Sequence, residues 1–269
     1  MRRFKILWYW LFYAKNNIGW MDMFHFLTKP KVRSIAKKHI ASINQNEFYE
    51  ICFHAIPHRL YWPLQFDLQG INQITAETFD EQDWHFYQKQ YTTIEQEEIL
   101  LDIGSAEGLF PLTVVDKCKK IFLIEPNPYF YQSLQHTFAP FVEKVEIIHC
   151  AAGNSEGIIY LQGESLTGQI SESVSGSAVA IHKVDSIIKS NQRISYLKAD
   201  IEGFEQEMLE GAEQTIRRNK PKIAITTYHR SNQTQEIIRL VKSFVPEYQF
   251  YVMGLYHEEC KPVMVHFWV

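Results

Sequence analysis

From residue 98 onward, short apolar runs alternate with segments of helical period, and that alternation commits the chain to βα units around a largely parallel sheet. Strands are expected at about 99–103, 121–125, 145–150, 194–199, 222–227, 247–253 and 262–268. Helices should fill roughly 108–117, 128–138, 184–190, 203–219 and 232–243, the fourth closed by Asn219-Lys220-Pro221, because proline cannot continue a helix. The last two runs have no helix between them. Residues 254–261 are long enough for a hairpin and too short for a crossover, so the sheet should end in a reversed strand. One stretch breaks the pattern: Gly163 to Ala178 is rich in Ser and Gly, with no apolar period. Lying just before the fourth strand of the regular part, this polar loop is expected to contact substrate.

Three run ends carry polar residues. The first passes through Asp102-Ile-Gly-Ser-Ala-Glu-Gly108, where Gly104 and Gly108 allow the backbone to bend sharply and the following helix to offer its first amides to a ligand. The spacing D-x-G-x-x-x-G is not the dinucleotide fingerprint G-x-G-x-x-G. The second ends at Glu125, placed to accept both hydroxyls of a ribose. The third ends in Lys198-Ala-Asp200-Ile-Glu202-Gly203, whose alternation sets Lys198, Asp200 and Glu202 on one side. Ligands of an open parallel sheet bind outside the carboxyl ends of its strands, where strand order reverses, so the three ends should converge. A cofactor-dependent enzyme is the expectation.

Five segments together resemble the FkbM family of S-adenosyl-L-methionine-dependent methyltransferases: ILLDIGSAEG (99–108), FLIEPNP (122–128), AAG (151–153), YLKADIEGFEQEMLEGA (196–212) and KIAITTYHR (222–230). The most specific is LKADIEGFE, and the resemblance covers roughly the last 170 of the 269 residues. One departure is Ala106, where the family more usually has Asn. The resemblance implies an α/β, seven-stranded Rossmann-like methyltransferase sheet with a terminal antiparallel hairpin, in agreement with the strand count. It also implies that Asp102, Gly104, Ser105 and Gly108 line the methionine part of the cofactor, that Glu125 takes the ribose, that the Cys150-Ala151-Ala152 turn edges the adenine, and that Asn127 is also cofactor-binding.

Methyl transfer proceeds by in-line displacement, so alignment of the acceptor oxygen should supply much of the rate, and an alcohol acceptor must also lose a proton. His229, ending the fifth run, is the expected base or positioning group, since an unperturbed imidazole titrates near ~6.5. Asp200 would be its partner. Glu202 is a further candidate, although it and Glu205 are also placed to meet amides at the start of the next helix. No metal is required; a metal-assisted version would draw on Asp200, Glu202 and His229. The expected activity is O-methylation of a hydroxyl on a glycan or glycan-bearing metabolite, with a polyketide, phenol or other small-molecule hydroxyl as the alternative. An NAD-dependent oxidoreductase fits the glycine spacing poorly, and a cofactor-binding regulator without catalysis would not need Asp200, Glu202 and His229 together.

Charge narrows the partners. The chain carries −4 overall, yet residues 1–40 hold nine Lys or Arg against one Asp, a net +8, which leaves −12 on the remainder. An acidic body argues against nucleic acid, and no Asn-Pro-Pro-aromatic string follows the fourth run. The basic segment includes Ile6 to Ala14 (ILWYWLFYA), too short to span a bilayer but rich in the Trp and Tyr that favour a headgroup layer. Residues 1–40 are therefore read as an arm that either lies on a membrane surface or docks on protein, its own body or a second copy in a homodimer. Two regions are expected, a mostly helical and aromatic 1–96 and a cofactor-binding 97–269, on the cytoplasmic side and either free or peripheral at the inner membrane face. Cys52, Cys118, Cys150 and Cys260 form no metal-ligand spacing and are read as reduced.

Overall fold

The computed structural model describes residues 2–13, 16–162, 169–171, 177–256 and 260–269. The chain begins with three helices, α1 (Arg2–Phe12), α2 (Trp20–Thr28) and α3 (Val32–His39). A small antiparallel sheet follows, built from β1 (Ile40–Gln45), β2 (Tyr49–Phe53) and β3 (Arg59–Trp62), and then α4 (Leu68–Phe79), whose first turn is capped by the Asp67 carboxylate accepting from the Gln69 amide at 2.7 Å. The small sheet departs from expectation. The apolar period of 32–43 reads as one helix, but it breaks at Ile40, where the chain turns into β1 and pairs with β2 in register Ile43 to Ile51.

The regular part runs β4 (Glu98–Ile103), α5 (Leu109–Val114), β5 (Cys118–Ile124), α6 (Pro128–Thr137), β6 (Val145–Ile148), β7 (Ala151–Gly153), β8 (Gly157–Gln162), β9 (Gln169–Ser171), β10 (Ser177–Lys183) and α7 (Val184–Ile187). It continues with β11 (Tyr196–Ala199), α8 (Glu205–Glu210), α9 (Glu213–Asn219), β12 (Lys222–Thr226), α10 (Gln233–Phe244), β13 (Gln249–Met253) and β14 (Met264–Trp268). Seven strands form the main sheet in the order β13-β14-β12-β11-β4-β5-β6. Its neighbours are parallel except β14, which runs antiparallel to both β12 and β13, so the terminal hairpin is present. Connections run outward in opposite senses from β4 and β11, and the crevice between their carboxyl ends is the switch point where such sheets bind ligands.

The central strands β4, β11 and β12 are buried on both faces, as a parallel sheet covered by helices must be. One face packs Leu100, Ile121, Leu123 and Tyr196 against α5, α6 and the N-terminal layer, with Ile6, Trp10, Met23 and Trp62 in the same cluster. The other packs Leu101, Ile103, Phe122 and Leu197 against α8, α9 and α10. The N-terminal region thus shares a core with the sheet.

Two further departures have local causes. The single helix expected over 203–219 is divided at Gly211, because the α8–α9 junction lies against the backbone of β7, and a Cβ at Gly211 would stand 1.9 Å from the Gly153 carbonyl oxygen. The polar stretch 163–178 falls partly outside the described residues; Gln169–Ser171 and the start of β10 are strands of a second sheet, ordered β7-β10-β8-β9.

Candidate functional site

A cavity of about 740 Å³ opens over the carboxyl ends of β4, β5 and β11 and is walled on the far side by the N-terminal helices. Its floor is carboxylate-rich. Asp102, the penultimate residue of β4, is fully buried, with the Lys198 ammonium of β11 3.0 Å from Oδ1. Lys198 Nζ also donates to the Gly104 carbonyl at 2.6 Å, which ties the first glycine turn to the central strand. Burial works against the Lys198 charge, but Asp102 and Asp200 outweigh it and hold the ammonium above its ordinary value. Burial pushes Asp102 up, and Lys198 partly restores it.

The turn has no room for a side chain at its first glycine. Gly104 is left-handed (φ +70), and a Cβ there would lie 2.0 Å from the Asp200 carbonyl oxygen, so the turn packs directly on the end of β11. Ala106 is also left-handed (φ 45), a conformation that costs a residue bearing a Cβ roughly 1–2 kcal/mol and that Asn tolerates better. That is a backbone reason for Asn at this position. Ala106→Gly should raise the thermal midpoint by about 2–4 °C, corresponding to ~1 kcal/mol, in a calorimetric melt. The Ala106 amide donates to Glu125 Oε2 at 2.8 Å and the Asn127 amide to Oε1 at 2.7 Å. Glu125 is thereby aimed into the cavity with lone pairs to spare. Burial pushes Glu125 up to about 7, and does the same to Glu107 in the adjoining turn.

Beyond β11 the chain carries the second group. Asp200 Oδ1 accepts from the Thr226 hydroxyl at 3.0 Å and Oδ2 from the Tyr87 phenol at 2.9 Å. Burial alone would raise Asp200, but His229, Lys198 and His85 outweigh it and hold its carboxyl below the usual range. Glu202 is left-handed (φ 56), next to Gly203 (φ +106), and this turn brings its carboxylate to 3.5 Å from His229 Nε2. It is about a third exposed, and burial of the rest pushes it up to about 7. His229 stands behind both carboxylates, with Nε2 3.6 Å from Asp200 and Nδ1 donating to the fully buried Glu205 at 2.8 Å. Burial would lower the imidazole, but the Glu205 hydrogen bond and the charges of Asp200, Glu205 and Glu202 raise it on balance. Glu205 also receives Gln233 Nε2 and the Ile201 amide. Ligand atoms of Asp200, Glu205 and His229 fall within 4.8 Å of one another, a spacing that suits a divalent cation, and the same carboxylates favour the charged form of the imidazole.

The N-terminal region closes the site with residues that no motif marked. Tyr87 joins Asp200 to the Lys198 ammonium, which sits 5.2 Å from its ring centroid, and Tyr196 holds the Tyr87 carbonyl through its phenol. His85 lies between Glu77 at 3.7 Å and Asp83 at 3.6 Å, with its ring edge-on to Tyr228. Burial disfavours its charge, but those carboxylates raise it to about 9, so a cation stands in the cavity wall.

Of the residues singled out from sequence, Asp102, Gly104, Ser105, Glu125, Asn127, Ala151, Ala152, Asp200 and Glu202 line this cavity. Asn127 also caps α6, its Oδ1 accepting from the Tyr129 amide at 2.9 Å. Gly108 and His229 are not among the lining residues. Gly108 serves packing and the turn: it is left-handed (φ +81), and a Cβ there would meet Leu134 at 2.5 Å. His229 touches the site only through the carboxylates before it. Glu107, Tyr87 and His85 were missed as functional groups, and Lys198, placed beside Asp200 and Glu202, was given no role. For Lys198 a signal existed, a lysine inside an otherwise uncharged four-residue strand of a buried parallel sheet.

A family model for the methyltransferase FkbM domain matches residues 102–251, more than half of the chain. Among solved structures, a methyltransferase FkbM from Methylobacillus flagellatus superposes with a TM-score of 0.53 at 18% identity, covering 93% of this chain and 60% of that one. TYW2 from M. jannaschii, solved in complex with AdoMet, gives a TM-score of 0.45 at 11% identity over 84% of this chain and 88% of its own. The chain thus spans about three fifths of the first structure's length, and at these identities the likeness is one of fold. No curated protein matches the sequence.

Proposed function

We propose that this chain, which belongs to the FkbM family of S-adenosyl-L-methionine-dependent methyltransferases, methylates a hydroxyl of a glycan or glycan-bearing metabolite. The observation that carries the reading is the charge of the seat. Asp102, Glu107, Glu125 and Asp200 surround one buried ammonium, Lys198, at the ends of β4, β5 and β11. Such a floor suits a ligand that is cationic at sulfur and nitrogen and offers ribose hydroxyls as donors. A dinucleotide would bring a pyrophosphate into the same carboxylates, which like-charge repulsion disfavours. Asp102, whose buried oxygens have no well-aligned protein donor, and Glu125, with free lone pairs, are the groups that would hold the ammonium and ribose ends.

The cofactor, when bound, supplies an electrophilic methyl group; the rest is the work of this chain's residues. Asp200, fixed at both oxygens by Thr226 and Tyr87, is placed to accept a hydrogen bond from the acceptor hydroxyl and align it. Glu202 takes the proton. Its position near 7 suits a general base at neutral pH, whereas His229, whose charged form the three carboxylates favour against burial, acts by fixing and polarising Glu202 and Asp200. In this reading Asp200 and His229 remain positioning groups, and the proton acceptor is Glu202 in place of the His229 expected from sequence. His85 adds a donor on the acceptor side, where a sugar hydroxyl or ring oxygen would pair with it.

The test is release of S-adenosylhomocysteine when protein and cofactor meet a panel of nucleotide sugars, polyprenyl-linked glycans and phenols. The reading expects turnover with a glycan-bearing member; turnover with phenols alone would replace it by the small-molecule alternative.

A further inference from the structure

Eight of the fifteen large apolar side chains exposed among the described residues lie between Phe4 and Phe24, on a body that otherwise keeps such groups scattered. The reason is the way α1 docks. Ile6 and Trp10 are buried in the core shared with the main sheet, so the opposite side of the same helix, with Phe4, Trp8, Leu11 and Phe12, faces outward. The Trp8 ring lies 5.6 Å from Phe12 and 5.2 Å from Tyr13, and Trp10 meets Trp20 of α2 edge-on at 4.6 Å, so the two helices are joined through their rings. Trp20, Met21 and Phe24 extend the surface on α2, with Met21 86% exposed.

We propose that this aromatic face of α1 and α2 seats the protein on an anionic lipid surface, and that the methyl acceptor is a hydroxyl borne by a lipid-anchored molecule presented there. Charge favours lipid over a second copy of the chain. Residues 1–40 carry +8 with Asp22 as their one acid, and the exposed cations Lys31, Arg33, Lys37 and Lys38 follow within a few residues of α2. Protein interfaces are depleted in lysine, whereas Trp and Tyr beside clustered cations match a headgroup layer over anionic lipid. No described helix is long and apolar enough to cross a membrane, so the contact lies in the plane of the surface. The link to the acceptor is that the same layer walls the cavity: Arg3 and Ile6 of α1, Phe26 of α2 and Val32 of α3 line it. An acceptor held at that layer is next to the cavity that also holds the Asp200 and Glu202 carboxylates.

This acceptor class rests on the methyltransferase reading above, and the experiment separates the two. Wild-type protein, a Trp8→Gln/Phe12→Gln/Phe24→Gln variant and a Lys37→Gln/Lys38→Gln variant would be sedimented with vesicles of phosphatidylcholine, with and without phosphatidylglycerol, and titrated with S-adenosylmethionine. Wild type should partition onto the anionic vesicles, the charge variant about 25-fold less, from roughly five-fold per cation, and the aromatic variant less by ~100-fold, all three binding cofactor equally. Wild type that ignores anionic vesicles, or an aromatic variant that binds them like wild type, overturns the proposal, as does a dimer in light scattering that only the aromatic changes dissociate. Methyl-labelled cofactor mixed with a cell-envelope extract should send label into the organic-soluble lipid fraction. Label confined to the aqueous fraction overturns the acceptor class while leaving methyl transfer intact, and loss of cofactor binding in all three proteins refutes the methyltransferase reading itself.

Discussion

Lys198→Ala should cost about 3–5 kcal/mol of folding stability at pH 8, because removing one partner of a buried pair leaves the other charge uncompensated. Here the abandoned charge is Asp102, fully buried 3.0 Å from the ammonium, with Asp200 and Glu107 also drawing on it. The loss has a definite pH dependence. Without Lys198 the buried carboxyls are raised further, and a carboxyl raised in the folded state contributes most stability below its unfolded pKa and loses it as pH rises through the folded one. Glu107 and Glu125 already sit at about 7 with the lysine present. Urea melts should therefore show a smaller defect at pH 5 than at pH 8. Asp102→Asn in the same chain should recover part of it, since the two changes touch one interaction. A loss below ~1 kcal/mol that is flat with pH would mean the pair is not the electrostatic centre of the seat.

Glu202→Gln should lower turnover by about 10²-fold or more while leaving cofactor affinity unchanged, which is the signature of a lost general base. The substitution keeps shape and removes the proton acceptor. The left-handed backbone at Glu202 supports a functional assignment, since glycine would adopt φ 56 without strain and yet a carboxylate occupies it. His229→Ala acts through the carboxylates, so it should shift the acidic limb of the wild-type pH–rate profile instead of removing it. Wild-type turnover in the Glu202→Gln enzyme would return the proton to Asp200.

Much of this was legible in the sequence because parallel strands buried on both faces must be short, apolar and separated by helices. The seven strands of the main sheet and the reversed β14 followed from run length alone, and the carboxylates at 102, 125, 200 and 202 stand at run ends, where polar residues interrupt an apolar text. What was not legible has a common cause. Tyr87 reaches Asp200 across 113 positions, and His85 is paired by Glu77 and Asp83 in a region with no motif, so no local pattern announces them. The sheet of β7 to β10 was hidden because its strands are short and interrupted by the Ser- and Gly-rich stretch, although Ile159, Leu161, Val179 and Ile181 give it a small apolar core of its own. His229 was legible as a strand-end histidine, but Glu205, set by α8 and held by Gln233 of α10, joins Asp200 and Glu202 in raising its ionisation above the value that made it attractive as a base.

The central claim is that a cluster of buried carboxylates forms the seat of a cationic cofactor. Calorimetric titration with S-adenosylmethionine and with NAD at pH 6 and pH 8 tests it most directly. Glu125 and Glu107, held at about 7 by burial, must be ionised to receive the ligand, so affinity is full above that pH and lost as pH falls through it. The expected result is binding of S-adenosylmethionine about ten-fold tighter at pH 8 than at pH 6 for each carboxylate that must ionise, with no binding of NAD. Affinity that does not change with pH, or binding of NAD in its place, would contradict the account.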